Sequence, residues 1–379
     1  MNELYEFIKE ISNPIVSKFD IDRSGLIQYV YIILTNIYDK KFCKKHIYNE
    51  YIDQIISELY PDLFGDKYNY FHVHDNSHIV DYLKTIPQFE QRTPEWFKVK
   101  RDSIGASESA IIFGKSIFSN KNKLLLKKSG FSEPYKTNMA CMHGTKYEPI
   151  VQLLYQNKNN VKLYEFGSLI HSRYSFISAS PDGITEKGVM VEIKVPFKRK
   201  ITGIPPIYYW YQMQQQMEVC NLDRVDFVEC QIKEYWSKKE FISDNDPSLH
   251  KNDFYTKKGA IKNIIVEYFK KSSNGEMTID WLYPENFIKL DKISEWVEKQ
   301  KEILIGKGHI FSKELFFKID VYSCSSVWRD KEWWQNNKKK YEEFWNEVEF
   351  YRKTGYESLI KVKKPRKKRA VKCLIEDDD

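Results

Sequence analysis

The stretch Phe176 to Phe197, FISASPDGITEKGVMVEIKVPF, constrains this chain more than any other part of it. Two short apolar runs flank a turn. The first, Phe176 to Ala179, leads into Ser180-Pro181-Asp182-Gly183, where Pro at the second position and Gly at the fourth favour a type I reversal. The second, Val189 to Val195, alternates: Val191, Ile193 and Val195 fall on one face of a strand, and Met190, Glu192 and Lys194 on the other. The first set is an ordinary core face. The second sets a carboxylate beside an ammonium, and a hairpin brings Asp182 beside Glu192. Two carboxylates that close repel unless a cation separates them, and hard oxygen donors suit Mg²⁺. A lysine two residues on has the charge to orient a water or to stabilise negative charge developing on a phosphate. Taken singly, Pro-Asp-Gly is a common turn and Val-Glu-Ile-Lys-Val a common half-exposed strand with a solvated ion pair. The order carries the signal: turn carboxylate, short hairpin, then Glu-x-Lys.

SPDG followed by VEIK resembles the PD-(D/E)xK nuclease signature, and more narrowly the lambda-exonuclease or YqaJ-like viral recombinase branch of that superfamily. Other segments fall in the same order. Thr93-Pro94-Glu95 opens a helix: Thr caps it, Pro takes the first position and Glu lies in the first turn. Trp96 to Arg101 and then Ile104-Gly105-Ala106-Ser107-Glu108 resemble the family's opening motif, in which a basic residue and a serine bind phosphate. Here they are Arg101 and Ser107, with Lys100 a competing match because the spacing is one residue loose. A serine at a helix N-terminus favours an anion; plain capping by Ser107 and a solvated Arg101 is the other reading.

Gly144-Thr145-Lys146-Tyr147-Glu148-Pro149 resembles the family's G-x-x-x-E-P motif, whose glutamate helps bind metal. Alternatively, Glu148 complements the positive end of the dipole of a helix running on from Ile150. Pro205-Pro206 introduces a helix from Ile207 to Asn221, which puts Tyr208, Gln212 and Gln216 on one stripe and Gln214 on a different face. Matching Tyr209 to the family's tyrosine makes Gln212 the active-site glutamine and Gln214 a second candidate, for DNA contact; the bland reading of the three glutamines is an exposed helix face.

Composition bounds the rest. The chain has 379 residues, 42% of them hydrophobic and 15% aromatic, which describes a globular protein and excludes a disordered one. The cysteines at 43, 141, 220, 230, 324 and 373 form no C-x-x-C pair, which argues against a zinc ribbon or a four-cysteine iron–sulfur cluster. Scattered cysteines without a signal peptide suit a reducing compartment, and no apolar run reaches membrane-span length. His72, His74 and His78 give H-x-H-x-x-x-H, more often solvated than zinc-binding. Net charge is +7, of which +4 sits in residues 361–379, so any nucleic-acid groove in the body must come from local clustering.

Taken in order, residues 1–70 carry helical stripes such as Leu26, Ile27, Val30, Ile33, Leu34 and Ile37. A short helix is expected over His78 to Thr85. The basic, leucine-bearing segment 121–136 either approaches DNA or is an exposed helix. Arg224 to Tyr235 alternates as a strand. Residues 257–271 and 285–305 read as helices, Phe316 to Val327 as a strand, and Val327 to Arg352 as a long helix whose Trp334, Tyr341, Trp345 and Val348 are core. KVKKPRKKRAVK is a solvated basic tail that serves as a nucleic-acid contact or a targeting address.

The expected fold class is therefore α/β: a PD-(D/E)xK nuclease core, a mixed central sheet flanked by helices, with an N-terminal helical extension and a helical C-terminal part. The expected organisation is 1–90 helical accessory region and linker, 91–355 nuclease domain, and 356–379 flexible tail. The resemblance implies a Mg²⁺-dependent DNA exonuclease, with Mn²⁺ an alternative ion, degrading one strand of a linear duplex 5′→3′ in viral recombination, repair or replication. Asp182, Glu192 and Glu148 would hold the metals; Lys194 would position the nucleophile or stabilise charge, and Gln212 would support water or a phosphate. It also implies DNA with a free duplex end as partner, a single-strand annealing protein, a ring-shaped homotrimer, and an intracellular location in host cytoplasm or nucleus. A structure-selective endonuclease or RNA nuclease using the same site, and a catalytically silent DNA-binding protein, are the alternatives.

Overall fold

In the computed structural model the described residues are 75–89, 93–131, 138–245, 254–271 and 275–360, with isolated positions before residue 60. Of the N-terminal stripe, Leu26 and Val30 are helical and fully buried; Ile27, Ile33, Leu34 and Ile37, together with His72, His74 and the tail 361–379, lie outside the described residues.

The described chain opens with α1 (Ser77–Thr85) and α2 (Pro94–Arg101). Thr93 caps α2 by accepting from Trp96 N, with Pro94 in the first turn, as the TPE sequence predicts. A short strand β1 (Ile104–Gly105), a 3-10 turn (Ala106–Glu108) and the four-residue α3 (Ser109–Ile112) follow. Next come α4 (Lys121–Ser129), capped by Asn120, and α5 (Met139–Asn159), capped by Asn138. The strands β2 (Leu163–Tyr164), β3 (Leu169–Ile170), β4 (Ile177–Ala179), β5 (Gly183–Thr185) and β6 (Met190–Lys194) then lead to the crossover helix α6 (Ile207–Cys220) and β7 (Arg224–Glu234). The remainder is α7 (Lys238–Ser243), β8 (Lys262–Lys271), β9 (Met277–Leu282), α8 (Ile293–Gly306), β10 (Ile310–Trp328) and α9 (Lys331–Thr354).

A seven-stranded sheet in the order β2-β5-β6-β7-β10-β8-β9 forms the centre, and a three-stranded sheet β1-β4-β3 lies apart from it. Within the large sheet only β6 and β7 run parallel. A parallel neighbour requires a crossover, and α6 supplies it. Helices cover both faces of β6. Val191, Ile193 and Val195 share a core with Ile150, Val151 and Leu154 of α5, while Met190 shares another with Met213 and Met217 of α6. This is the mixed α/β sheet flanked by helices that the sequence led to.

The hairpin differs from its sequence reading. Phe176–Ala179 does not pair with 189–195. Its strand β4 belongs to the small sheet, beside β1 and β3. The antiparallel partner of β6 is β5, with Gly183 opposite Val191. Ser180-Pro181-Asp182 carries the chain from one sheet to the other, and the tight turn lies at 186–189. There Gly188 takes φ +82°, and a Cβ would meet Asn76 Cβ at 2.5 Å, so glycine is required twice over.

The region after residue 257 is also corrected. Residues 262–271 are strand, because Ile264, Ile265 and Val266 are β-branched, fully buried and paired on both edges. Helix over 285–305 is confined to α8 and the 3-10 turn Leu290–Lys292 before it. The C-terminal part is thus strand as much as helix. In α9, Trp334, Tyr341, Trp345 and Val348 are core, as expected. Its Arg352 donates to the carbonyls of Lys128 at 2.9 Å and Arg101 at 2.8 Å, tying α9 to the ends of α2 and α4.

Candidate active site

Asp182 ends the link from the small sheet and sits one residue before β5, so the Gly183–Val191 pairing places it across from Glu192. Two hydrogen bonds fix it: its Oδ2 accepts from Ile193 N at 2.7 Å, and its carbonyl accepts from Gln152 of α5 at 2.8 Å. Lys194 Nζ donates to Glu192 Oε1 and lies 3.9 Å from Asp182 Oδ2. The alternation of β6 therefore does what its sequence predicts: acid, acid and lysine meet at one point.

Glu192 is 0% exposed. Gln212 and Gln216 are one helical turn apart on α6, the i and i+4 positions of one face. Gln212 Nε2 donates to Glu192 Oε1 and Gln216 Nε2 to Oε2, each at 2.6 Å. Gln216 is the residue that sequence reasoning placed on the right stripe and gave no role; its spacing from Gln212 was the signal. Gln214 is corrected. It faces away from the site, is buried, donates to Trp328 O and accepts from Asp330 N, and so fastens α6 to the β10–α9 junction rather than to DNA.

Glu148 lies inside α5, which begins at Met139, so the helix-dipole reading fails: the N-terminus is more than two turns away. Pro149 follows it within the same helix and lacks the N–H that would bond the carbonyl four residues back. Burial and the Glu192 charge raise Glu148, with Lys194 opposing. Burial, then Glu192, push Asp182 well above the usual carboxylate range, with Lys194 again opposing and Glu148 adding to the rise. Burial works against a charged Lys194, but Glu192 and Asp182 outweigh it and raise the ammonium above its ordinary value.

Among the described residues, no group of three or more His, Cys, Asp or Glu side chains closes around a common point. The Lys194 ammonium lies among the acids instead. The donor set still fits a divalent ion. Burial first, and the charge of the neighbouring acids second, raise Glu148 and Asp182, and a divalent ion between these carboxylates would offset both.

The phosphate candidates separate. Arg101 is exposed and pairs with Asp102 at 3.5 Å. Ser107 is exposed within a 3-10 turn, and the α-helix after it is only four residues long, so it is not at the N-terminus of a regular helix as expected. Lys100 points inward: its Nζ donates to Ser180 Oγ at 3.5 Å, two residues before Asp182, and burial pushes its pKa down. The basic segment after residue 121 is not uniformly a solvated face. Lys128 is 1% exposed, pairs with Glu108 at 2.6 Å and donates to the carbonyls of Lys100 and Ser103.

The mixed sheet, the crossover helix and the Asp182, Glu192, Lys194 arrangement resemble a PD-(D/E)xK core. Residues 95–223 match the YqaJ-like viral recombinase domain; the matched segment contains Glu148, Asp182 and Glu192 and both glutamines that hold Glu192. An uncharacterized protein of Acanthamoeba polyphaga mimivirus is 30% identical over 339 residues, 79% of this chain and 61% of that protein. A protein of African swine fever virus is 26% identical over 170 residues, 36% of this chain and 47% of that one. The chain thus spans less than two thirds of the length of either viral relative. Among solved structures, an alkaline exonuclease from Laribacter hongkongensis matches with a TM-score of 0.41 at 19% identity, covering 69% of this chain and 95% of that one. A phage-related exonuclease from Haemophilus somnus matches with a TM-score of 0.36 at 12% identity, covering 68% and 96%.

Proposed function

We propose that the chain is a metal-dependent DNA exonuclease that degrades one strand of a linear duplex 5′→3′ during viral recombination, repair or replication inside the host cell. One observation carries the reading: Glu192 is fully buried yet held at both oxygens by Gln212 and Gln216, with Lys194 and Asp182 beside it. A fully buried carboxylate given this many partners is costly as a mere structural element. Glu148, Asp182 and Glu192 would hold the ion, Mg²⁺ or in its place Mn²⁺. When bound, such an ion supplies the positive charge that activates a water and polarises a phosphate.

The protein's own groups do the positioning. Gln212 and Gln216 lock the Glu192 rotamer, and the Ile193 N–H and Gln152 lock Asp182. Lys194 keeps its proton because of the two acids, so it acts as a fixed cation toward charge developing on the phosphate. Lys100 beside Ser180 is the cation best placed to receive a terminal phosphate. The ring-shaped trimer and the single-strand annealing partner implied by the family resemblance belong to the same reading.

The test is digestion of a blunt, end-labelled linear duplex beside a covalently closed circle, with and without Mg²⁺. Loss of the linear form alone, from its 5′ ends and only with metal, is the expected result. Cutting of the circle would make the enzyme an endonuclease, and no cutting of either would sink the reading.

A further inference from the structure

A second ionic pair stands beside the carboxylate cluster and belongs to no part of the Asp, Glu-x-Lys signature. β6 and β7 run parallel with Lys194 opposite Glu229. The Glu229 side chain is only 1% exposed. Its Oε1 accepts from Arg199 Nη2, while its Oε2 is buried and has no hydrogen-bond partner. Arg199 comes from the loop after β6 and is 31% exposed. Its guanidinium makes no other hydrogen bond among the described residues, which leaves most of its N–H fork available. Both cations meet one ring: Lys194 Nζ is 5.2 Å and Arg199 Cζ 5.9 Å from the centroid of Tyr209.

Sinking a carboxylate to hold one loop arginine is expensive unless the arginine's place matters. A planar fork with free N–H groups, partly open to solvent, is suited to bidentate contact with phosphate oxygens. Lys198 and Lys200 on either side are exposed, which suits a polyanion rather than a single small acid.

We propose that Glu229 is a positioning residue that pins Arg199 across Tyr209, so that the guanidinium takes a phosphate of the bound strand neighbouring the one at the carboxylate cluster. The inference rests on the nuclease reading for the identity of the ligand. Lys194 and Arg199 then act as two cations spaced along one strand, with Tyr209 as their shared floor.

The experiment is a salt titration of binding to a fluorescein-labelled linear duplex in EDTA, where nothing is cut. Arg199→Ala should lower the slope of log affinity against log salt by about one, the loss of one phosphate contact. Glu229→Gln should weaken binding severalfold while keeping the wild-type slope, because the cation remains but is no longer aimed. The double variant Arg199→Ala/Glu229→Gln should bind as Arg199→Ala does. It also removes the stranded carboxylate, and so serves as the variant that folds if Arg199→Ala alone does not. Wild-type affinity and slope in both variants lacking Arg199 would overturn the proposal. So would a Glu229→Gln effect that is equally large with Arg199 absent. A wild type that cuts DNA while the Arg199 variants keep its slope defeats this inference alone. A wild type that shows the expected slopes yet cuts nothing defeats the nuclease reading alone.

Discussion

Gln216 Nε2 lies 2.6 Å from Glu192 Oε2, reaching from the crossover helix to a strand 24 residues earlier. With Gln212 on the other oxygen, it completes the clamp on the acid. Gln216→Ala leaves a buried carboxylate oxygen without a donor, at a cost of about 1–3 kcal/mol. If that cost falls on the geometry needed for cleavage, turnover drops roughly tenfold or more. Gln214→Ala should instead lower stability through the lost contacts to Trp328 and Asp330, and leave single-turnover cleavage per folded molecule close to wild type. Urea denaturation and single-turnover digestion of both variants check the contrast. Equal cleavage defects in the two would remove the special place of Gln216.

Asp182→Asn should abolish cleavage and keep the fold. It removes one of the mutually repelling charges while retaining an oxygen for the Ile193 N–H. Without metal its melting temperature should exceed wild type by about 2 °C or more. Mg²⁺ should raise the wild-type melting point, since a ligand that binds only the folded state stabilises it, and should raise that of Asp182→Asn much less. A variant that responds to Mg²⁺ as strongly as wild type would place the ion elsewhere.

The Glu108–Lys128 pair lies away from the carboxylates and supports the turn before α3. Burial raises Glu108, but Lys128 and Lys127 more than offset it and hold the acid below its ordinary value of 4.5. A folded pKa below the unfolded one gives stability that is present above about pH 4.5 and lost as pH falls through the folded value. Glu108→Gln strands the buried Lys128 and should cost about 3–5 kcal/mol at pH 7. The gap to wild type should narrow below pH 4.5, and denaturation curves at several pH values will show it. A gap independent of pH would mean the pair contributes through packing alone.

How a duplex end is chosen tests Lys100 against Arg101. Lys100→Ala should erase a preference for 5′-phosphorylated over 5′-hydroxyl ends, because its ammonium is the one turned toward Ser180. Arg101→Ala, exposed and paired with Asp102, should leave the preference nearly intact. Single-turnover digestion of two duplexes that differ only in the end group measures both. Equal rates on the two ends in the wild type, or attack from the 3′ end, would remove the 5′→3′ polarity.

The acid, acid and lysine were legible because a strand's two-residue period fixes which side chains share a face, whatever the tertiary partner. That is why Glu192 and Lys194 were placed correctly even though the partner strand was not. The identity of β5 depended on a pairing between Gly183 and Val191 that no local pattern encodes, and the four-residue apolar run at 176–179 looked the stronger strand. Gln214 and Gln216 could not be told apart by composition, only by angle around α6, which separates the glutamine facing Glu192 from the one facing Trp328. Residues 262–271 misled for the opposite reason: a strand buried on both faces loses the alternation that marks one. Glu229 was invisible as a partner of Arg199, since nothing before the parallel β6–β7 register sets them side by side.

That register has a consequence for the ribosome. β6 carries Glu192 and Lys194, but its parallel neighbour β7 ends at Glu234, and the next strand of the sheet, β10, ends only at Trp328. Neighbours so distant in sequence join late, because the intervening loop must close before any contact forms. A nascent chain therefore exposes its acids long before the sheet that aligns them exists. On the proposed function, a product truncated upstream of β10 should therefore carry every acid of the site and still cut no DNA.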